Sequence, residues 1–258
     1  MAENTLPDGS FNFNFEEVTR LSEKDAEYIA RWKAEGFKAD CFGYIVSQKT
    51  FAEDPQAHYL WQRVMLDRAE GDGYYIVNKT RTAIQIIFPP GKQDRRLDMS
   101  YTSPRDENWK LFLDHCGGAE AVTARITPYL VAAAADLKKV YGDDMGVTLH
   151  EIGGFAVRPE FQRKGLGRAL REYTESKAMR ADTKAFFTAL EYNLPFYRKL
   201  GCKVVGDKVP TGLDEAGRKA YPPGNDYTWL CEGFPAKKTE RESRTWFDFL
   251  TFRLPYAN

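Results

Sequence analysis

The sequence predicts a mixed α/β domain of the α+β-like kind, and three observations predict it. Short runs rich in β-branched and aromatic residues recur along the chain. Between them lie amphipathic runs that begin at capping residues and end at glycines. At 258 residues and 43% apolar content, with no repeat and no low-complexity linker, the chain can bury one large core.

The elements follow in order. "FNFNFEEVT" alternates apolar and polar residues from Phe11 to Phe15 and reads as a strand. Ser22, with Asp25 three residues later, caps the helical run "DAEYIARWKAEG", which Gly36 can close. "DPQAHYLWQRVMLDRAEGDG" reads as a second helix. "YYIVNKTRTAIQIIFPP", Tyr74 to Pro90, reads as one or two strands followed by a charged loop around Lys92 to Asp98. Thr127 can cap a helix with Pro128 at its first position, running to a stop near Gly142. "VTLHEIGGFAV" is a core strand, and "VRPEFQRKGLGRAL" leads from it into a helix. "KAFFTAL" is another strand. "NLPFYRKLG" is a short helix with Asn193 as cap, Pro195 in the first turn and Gly201 as terminator. "CKVVGD" and "DYTWLCEG" complete the strands, and the aromatic segment "TWFDFLTF" reads as packing or an edge element.

Composition narrows the function. Basic and acidic residues both number 37, so no global field recruits nucleic acid or an anionic membrane, and any anion site must be local. Cys41, Cys116, Cys202 and Cys231 are scattered without metal spacing and fit buried or idle thiols in a reducing compartment. His58 and His115 lack companion ligands and read as surface or structural, so no metal is expected. The run Lys237 to Arg244 balances its signs and reads as a solvated face. A polar start and the lack of a long apolar stretch point to a cytoplasmic protein.

The turn "QRKGLGR" holds the sharpest signal. A helix start offers amides that lie outside the hydrogen-bond ladder and the positive end of the dipole, which suits an anion. Gly165 and Gly167 remove bulk where a phosphate would approach, and Arg163, Lys164 and Arg168 add charge. A P-loop is excluded, because Arg168 and Ala169 follow Gly167 where Lys and Ser or Thr are needed. A dinucleotide fingerprint fails at Leu170, where its third glycine belongs. Taken alone, the turn is either a pyrophosphate cradle or a solvated basic helix start.

The wider stretch "GFAVRPEFQRKGLGRAL" resembles the Gcn5-related N-acetyltransferase (GNAT) family, whose motif Gln/Arg-x-x-Gly-x-Gly/Ala is matched by Gln162 to Gly167. The later "ALEYNLPFYRKLGCKVV" resembles the same family at the expected separation, and the close likeness covers roughly Leu149 to Val205. The resemblance implies the GNAT fold: a central twisted, mostly antiparallel sheet with two splayed parallel central strands, flanked by helices. It implies a single domain over 1–258, with 1–146 as an elaborated acceptor-side half and 147–232 as the acetyl-CoA-binding core. Backbone groups of Phe155, Ala156 and Val157 would then bond the pantetheine amides. The amides from Arg163 through Lys164, Gly165, Leu166 and Gly167 to Arg168 would hold the pyrophosphate of coenzyme A, and Asn193 would touch the pantetheine arm.

Acetyl transfer to an amine needs a base for the ammonium and an acid for the departing thiolate. Tyr197 follows Asn193 by one helical turn and matches the family's thiolate-protonating tyrosine. Glu151 falls where family members carry a glutamate or histidine base, with His150 as second choice on the opposite strand face. By strict alternation Glu151, Gly153 and Phe155 share one face. The expected activity is transfer of acetyl to a primary amine of a small molecule such as an amino acid, amino sugar, arylalkylamine, polyamine or aminated antibiotic. The alternatives are a protein or peptide N-acetyltransferase and a non-catalytic acyl-CoA-binding module. Trp32, Tyr59, Trp61, Tyr74, Tyr75 and Trp109 either wall an acceptor pocket or fill the core. No nucleic acid or membrane partner is expected, and the chain reads as a monomer or homodimer.

Overall fold

The computed structural model describes residues 13–92, 106–143, 149–180 and 184–233. The greater part of the charged loop after Lys92, the run Lys237 to Arg244 and the segment "TWFDFLTF" lie outside the described residues. The strands are β1 (Phe15–Val18), β2 (Tyr74–Asn78), β3 (Ala83–Phe88), β4 (Leu149–Val157), β5 (Lys184–Leu190), β6 (Lys203–Pro210) and β7 (Tyr227–Gly233). They form one sheet in the order β1-β2-β3-β4-β5-β7-β6. Every adjacent pair is antiparallel except β4 and β5. That parallel pair requires a crossover. The helix α6 (Leu166–Arg180) supplies it.

The remaining helices are α1 (Glu23–Gly36), α2 (Phe42–Ser47), α3 (Pro55–Asp67), α4 (Asp106–His115), α5 (Ala119–Tyr141), α7 (Leu194–Lys199) and α8 (Glu215–Ala220). On one face of the sheet, Ile29, Ala30 and Trp32 of α1 pack on Tyr75, Ile84, Ile86, Phe88 and Ala156. Burial of each such large apolar side chain contributes about 1.5–3 kcal/mol. Farther along the same face, Leu137, Val140 and Tyr141 of α5 meet Leu149, Phe186 and Leu230. The opposite face is covered by Leu166 and Leu170 of α6 against Ile76, Ala83 and Ile87. Leu194 and Tyr197 of α7 extend that cover over Phe187 and Cys231.

The cap at Ser22 is realised, its Oγ accepting the Asp25 N–H at 3.1 Å. Tyr74 to Phe88 resolves into two strands, whose turn is held by Asn78 Oδ1 accepting the N–H groups of Thr82 and Ala83, each at 2.9 Å. The expected start at Thr127 is corrected: α5 begins at Ala119 behind Gly118, and Pro128 lies inside it. Proline removes one intrahelical bond. The helix persists because Val122, Ile126 and Tyr129 on both sides of Pro128 are buried in one core. Arg125 adds hydrogen bonds to the carbonyls of Val46 at 2.7 Å and Cys116 at 3.0 Å.

Asn193 is also corrected as a side-chain cap. It has helical dihedrals and makes no capping bond, because the turn Glu191–Asn193 already carries helical backbone into α7. The helices α2, α4 and α8 had no counterpart in the sequence reading.

Candidate active site

The strands β4 and β5 pair at only three positions, Leu149 with Lys184, His150 with Ala185 and Glu151 with Phe186. Beyond Glu151 the two strands part, and β4 runs to Val157 with no β5 partner among the described residues. A cavity of about 520 Å³ occupies the opening. Its walls come from both layers: Phe42, Trp61 and Tyr129 on the α1/α5 face, and Arg171, Thr174 and Tyr197 on the α6/α7 face. The cavity therefore crosses the sheet.

A bulge in β4 decides which side chains face which end. Phe88 pairs with Glu151 and Ile87 with Ile152, but Ile86 pairs with Gly154 and Gln85 with Phe155, so Gly153 is the extra residue. Paired residues point to the same side, and an extra residue inverts the alternation. Glu151, Gly154 and Ala156 share the face of Phe88 and Ile86, which is the α1/α5 face. Ile152, Phe155 and Val157 share the α6 face. The expected common face for Glu151 and Phe155 is thus corrected. His150 also faces the α6 side, opposite Glu151, and is buried. Burial pushes its imidazole below the ordinary histidine value.

Asn193 and Tyr197 both line the cavity, one helical turn apart. The Tyr197 ring lies 4.6 Å from that of Phe187. Burial, followed by the nearby Cys231 and Cys202 thiols, pushes the Tyr197 phenol well above its ordinary value, so it stays protonated at neutral pH.

The turn ahead of α6 places Arg163 at φ 60° and Gly165 at φ 83°. The first bond of the helical ladder runs from Ala169 N–H to the Gly165 carbonyl at 3.0 Å, so the amides of Leu166, Gly167 and Arg168 precede it. Leu166 and Leu170 are buried and fix the helix, while Arg163, Lys164 and Arg168 are exposed around the turn. A Cβ on Gly167 would lie 3.5 Å from the Phe155 ring, an ordinary contact that brings turn and strand together. Gln162 Nε2 donates to the Val157 carbonyl at 3.0 Å and ties the turn to the end of β4.

Most of the listed aromatic candidates fill the core. Trp32 and Tyr75 are buried against the sheet, and Trp109 stacks on Phe112 at 5.5 Å. Trp61 lines the cavity. His58 is buried in α3 and contacts the Lys49 carbonyl at 3.1 Å, and His115 meets the Asp54 carboxylate at 2.9 Å, so both are structural.

The acidic cavity residue Asp40 has no counterpart among the candidates the sequence offers. Asp40, in the short link between α1 and α2, lines the α1/α5 end. Its Oδ1 accepts the Phe42 N–H at 2.8 Å. Burial raises its carboxyl to about 6, against lowering by that N–H and by Lys33. An isolated acidic residue in a loop gives no pattern by which sequence could find it.

Residues 89–202 match the model of the acetyltransferase (GNAT) family. This segment is a GNAT acetyltransferase domain. The GNAT domain takes in β4, the turn, α6, β5 and α7, together with α4 and α5 ahead of them. Among solved structures, arylalkylamine N-acetyltransferase 2 from Aedes aegypti is similar at 15% identity and TM-score 0.49, over 86% of this chain and 100% of that one. The polyamine N-acetyltransferase of Drosophila melanogaster is similar at 12% identity and TM-score 0.46, over 85% and 99%. A GCN5-related N-acetyltransferase from Kribbella flavida gives 12% identity and TM-score 0.41, over 85% and 96%. No curated protein matches the chain significantly. Among the described residues of this GNAT-bearing chain, no helix is long and apolar enough to cross a membrane.

Proposed function

We propose that the chain transfers acetyl from acetyl-CoA directly to a primary amine of a small molecule, with Glu151 as base and Tyr197 as acid. The observation that carries this reading is the cavity crossing the sheet where β4 and β5 part, with Glu151 and Tyr197 in its wall. A pantetheine arm fits such a gap, since β4 from Gly154 to Val157 is in register with β3 and, among the described residues, not with β5, so its other edge can bond an extended chain as a strand would. Phe155, Ala156 and Val157 would hold it by their backbone, and Asn193 would contact it from α7. The amides from Arg163 to Arg168, shaped by Gly165 and Gly167, would receive the pyrophosphate, with exposed basic side chains around it.

Acetyl-CoA supplies an activated acyl group, and the chain's own residues manage the protons. An amine of pKa roughly 10.4 arrives protonated at neutral pH. Glu151, on the α1/α5 face, takes that proton directly or through a water. The freed amine attacks the thioester carbonyl to form the C–N bond; as the C–S bond breaks, Tyr197, held protonated by burial on the opposite face, donates its proton to the departing sulfur, and the proton lost by the new amide nitrogen restores the phenol. Base and acid thus approach the thioester from opposite sides of the sheet.

The test is thiol release from acetyl-CoA by the purified protein across amino acids, amino sugars, arylalkylamines, polyamines and lysine-bearing peptides. Turnover with a small-amine class is expected. Turnover with peptides alone would make the chain a protein acetyltransferase, and acetyl-CoA binding without any turnover would make it an acyl-CoA-binding module.

A further inference from the structure

The α1/α5 end of the cavity combines three features. Its walls are aromatic: Phe42 and Tyr129 pack with ring centroids 5.0 Å apart, and the Trp61 side chain joins them in the lining. A carboxylate, Asp40, lines the same cavity as those rings and Glu151. Its Oδ1 is fixed by the Phe42 N–H, and no donor hydrogen-bonds Oδ2 among the described residues. A carboxylate among aromatic walls, with one oxygen still able to accept, is a receptor for a cation carried on an apolar body.

Resting on the reading of the site as an amine acetyltransferase, we propose that Asp40 receives the acceptor's ammonium while Phe42, Trp61 and Tyr129 enclose its apolar body, so that the acceptor is an aromatic primary amine. Burial and, in part, the Asp40 charge push four neighbouring phenols upward, Tyr129, Tyr192, Tyr197 and Tyr221. The carboxylate therefore acts on the region where the strands part, where the amine must arrive. Lys33, buried on α1, is the cation facing Asp40. It compensates part of the charge when the site is empty, and a bound ammonium adds to that compensation. Glu151 remains the proton acceptor, and Asp40 is the residue that selects and holds the acceptor.

The experiment is calorimetric binding of phenethylamine and of its neutral counterpart phenethyl alcohol to the full chain saturated with coenzyme A. The wild type is expected to bind the amine about tenfold or more tightly than the alcohol, as a charge-assisted contact requires. In Glu151→Gln protein, which lacks the second carboxylate of this end, adding Asp40→Asn, which keeps an oxygen for the Phe42 N–H, is expected to make the two ligands bind alike. A wild type without preference, or an asparagine variant that retains it, overturns the proposal. Should Asp40→Asn fail to fold, the same pair is titrated with Glu151→Gln protein at pH 7 and pH 5. The preference must fade at the lower pH, and persistence overturns the proposal equally. Thiol release with phenethylamine is read separately: binding selectivity without turnover refutes the acetyltransferase reading alone, and turnover without selectivity refutes the role of Asp40 alone.

Discussion

Glu151 and Phe155 project from opposite faces of the sheet, because Gly153 between them is the extra residue of a bulge against β3. Four residues apart on a regular strand they would share a face. The inversion sends the carboxylate toward Asp40, Trp61 and Tyr129 while the Phe155 ring packs near Gly167 of the turn. In the proposed reaction one strand thereby serves two compartments, an acceptor end and a cofactor end.

Glu151→Gln is expected to lower kcat by roughly 10² to 10⁴ and to remove the acid limb of the pH profile, since a base works only when ionised. His150→Gln, on the opposite face, is expected to change kcat by less than about tenfold and to keep the limb. A full pH series on both variants checks the assignment, and a limb that survives in Glu151→Gln but vanishes in His150→Gln would reverse it.

Tyr197→Phe removes the proposed proton donor while keeping the ring that packs on Phe187. Turnover is expected to fall roughly 10²-fold with little change in acetyl-CoA affinity. Because burial raises the phenol above its ordinary value of 10.0, wild-type kcat shows no loss tied to this residue below that pH. Equal losses in affinity and turnover would identify Tyr197 as a packing residue instead.

The two turn glycines are not equivalent. Gly165 sits at φ 83°, where a side chain costs about 1–2 kcal/mol, so Gly165→Ala is expected to weaken coenzyme A binding by about tenfold. Gly167 has an ordinary φ, and a methyl there would make normal contacts at 3.5 Å and beyond. Gly167→Ala is expected to bind coenzyme A within about threefold of wild type. Calorimetry on both variants separates backbone strain from loss of space.

The local structure of the proposed cofactor end was legible because its information is contiguous in sequence. The turn Gln162 to Gly167, the helix that follows it and the strand "KAFFTAL" are contiguous patterns, and these elements fell where the sequence placed them. The acceptor end was not legible, because it is assembled from distant parts. Pro128 reads as a helix start until Val122 and Ile126 are seen buried ahead of it. The bulge at Gly153 depends on which β3 residues it meets. Asp40 gains meaning only from Tyr129 and Trp61, brought to it by α5 and α3. Short helices such as α2 and α8, six residues each, carry too few turns for a periodic signal.

Asp40 should destabilise the fold that holds it. Its carboxyl rises from 3.8 to about 6, so the folded chain binds the proton more tightly than the unfolded chain. Below pH 3.8 both states are protonated and the residue is neutral in effect; between 3.8 and about 6 the unfolded chain ionises first and stability falls. Above about 6 the cost is complete, on the order of 3 kcal/mol. Lys33 opposes the effect, whereas Cys41, Tyr129, Tyr192, Tyr197 and Tyr221, which also feel the Asp40 charge, are all pushed upward and do not titrate in this window. Asp40→Asn, which keeps an acceptor for the Phe42 N–H, is therefore expected to be more stable than wild type at pH 7 and to lose that advantage as the pH drops toward 3.8. Urea unfolding of both proteins at a series of pH values measures the difference. A variant less stable than wild type at pH 7 would mean that Asp40 is held by a compensating charge and is structural, whereas added stability joined to lost amine selectivity marks a residue kept for function at a cost to the fold.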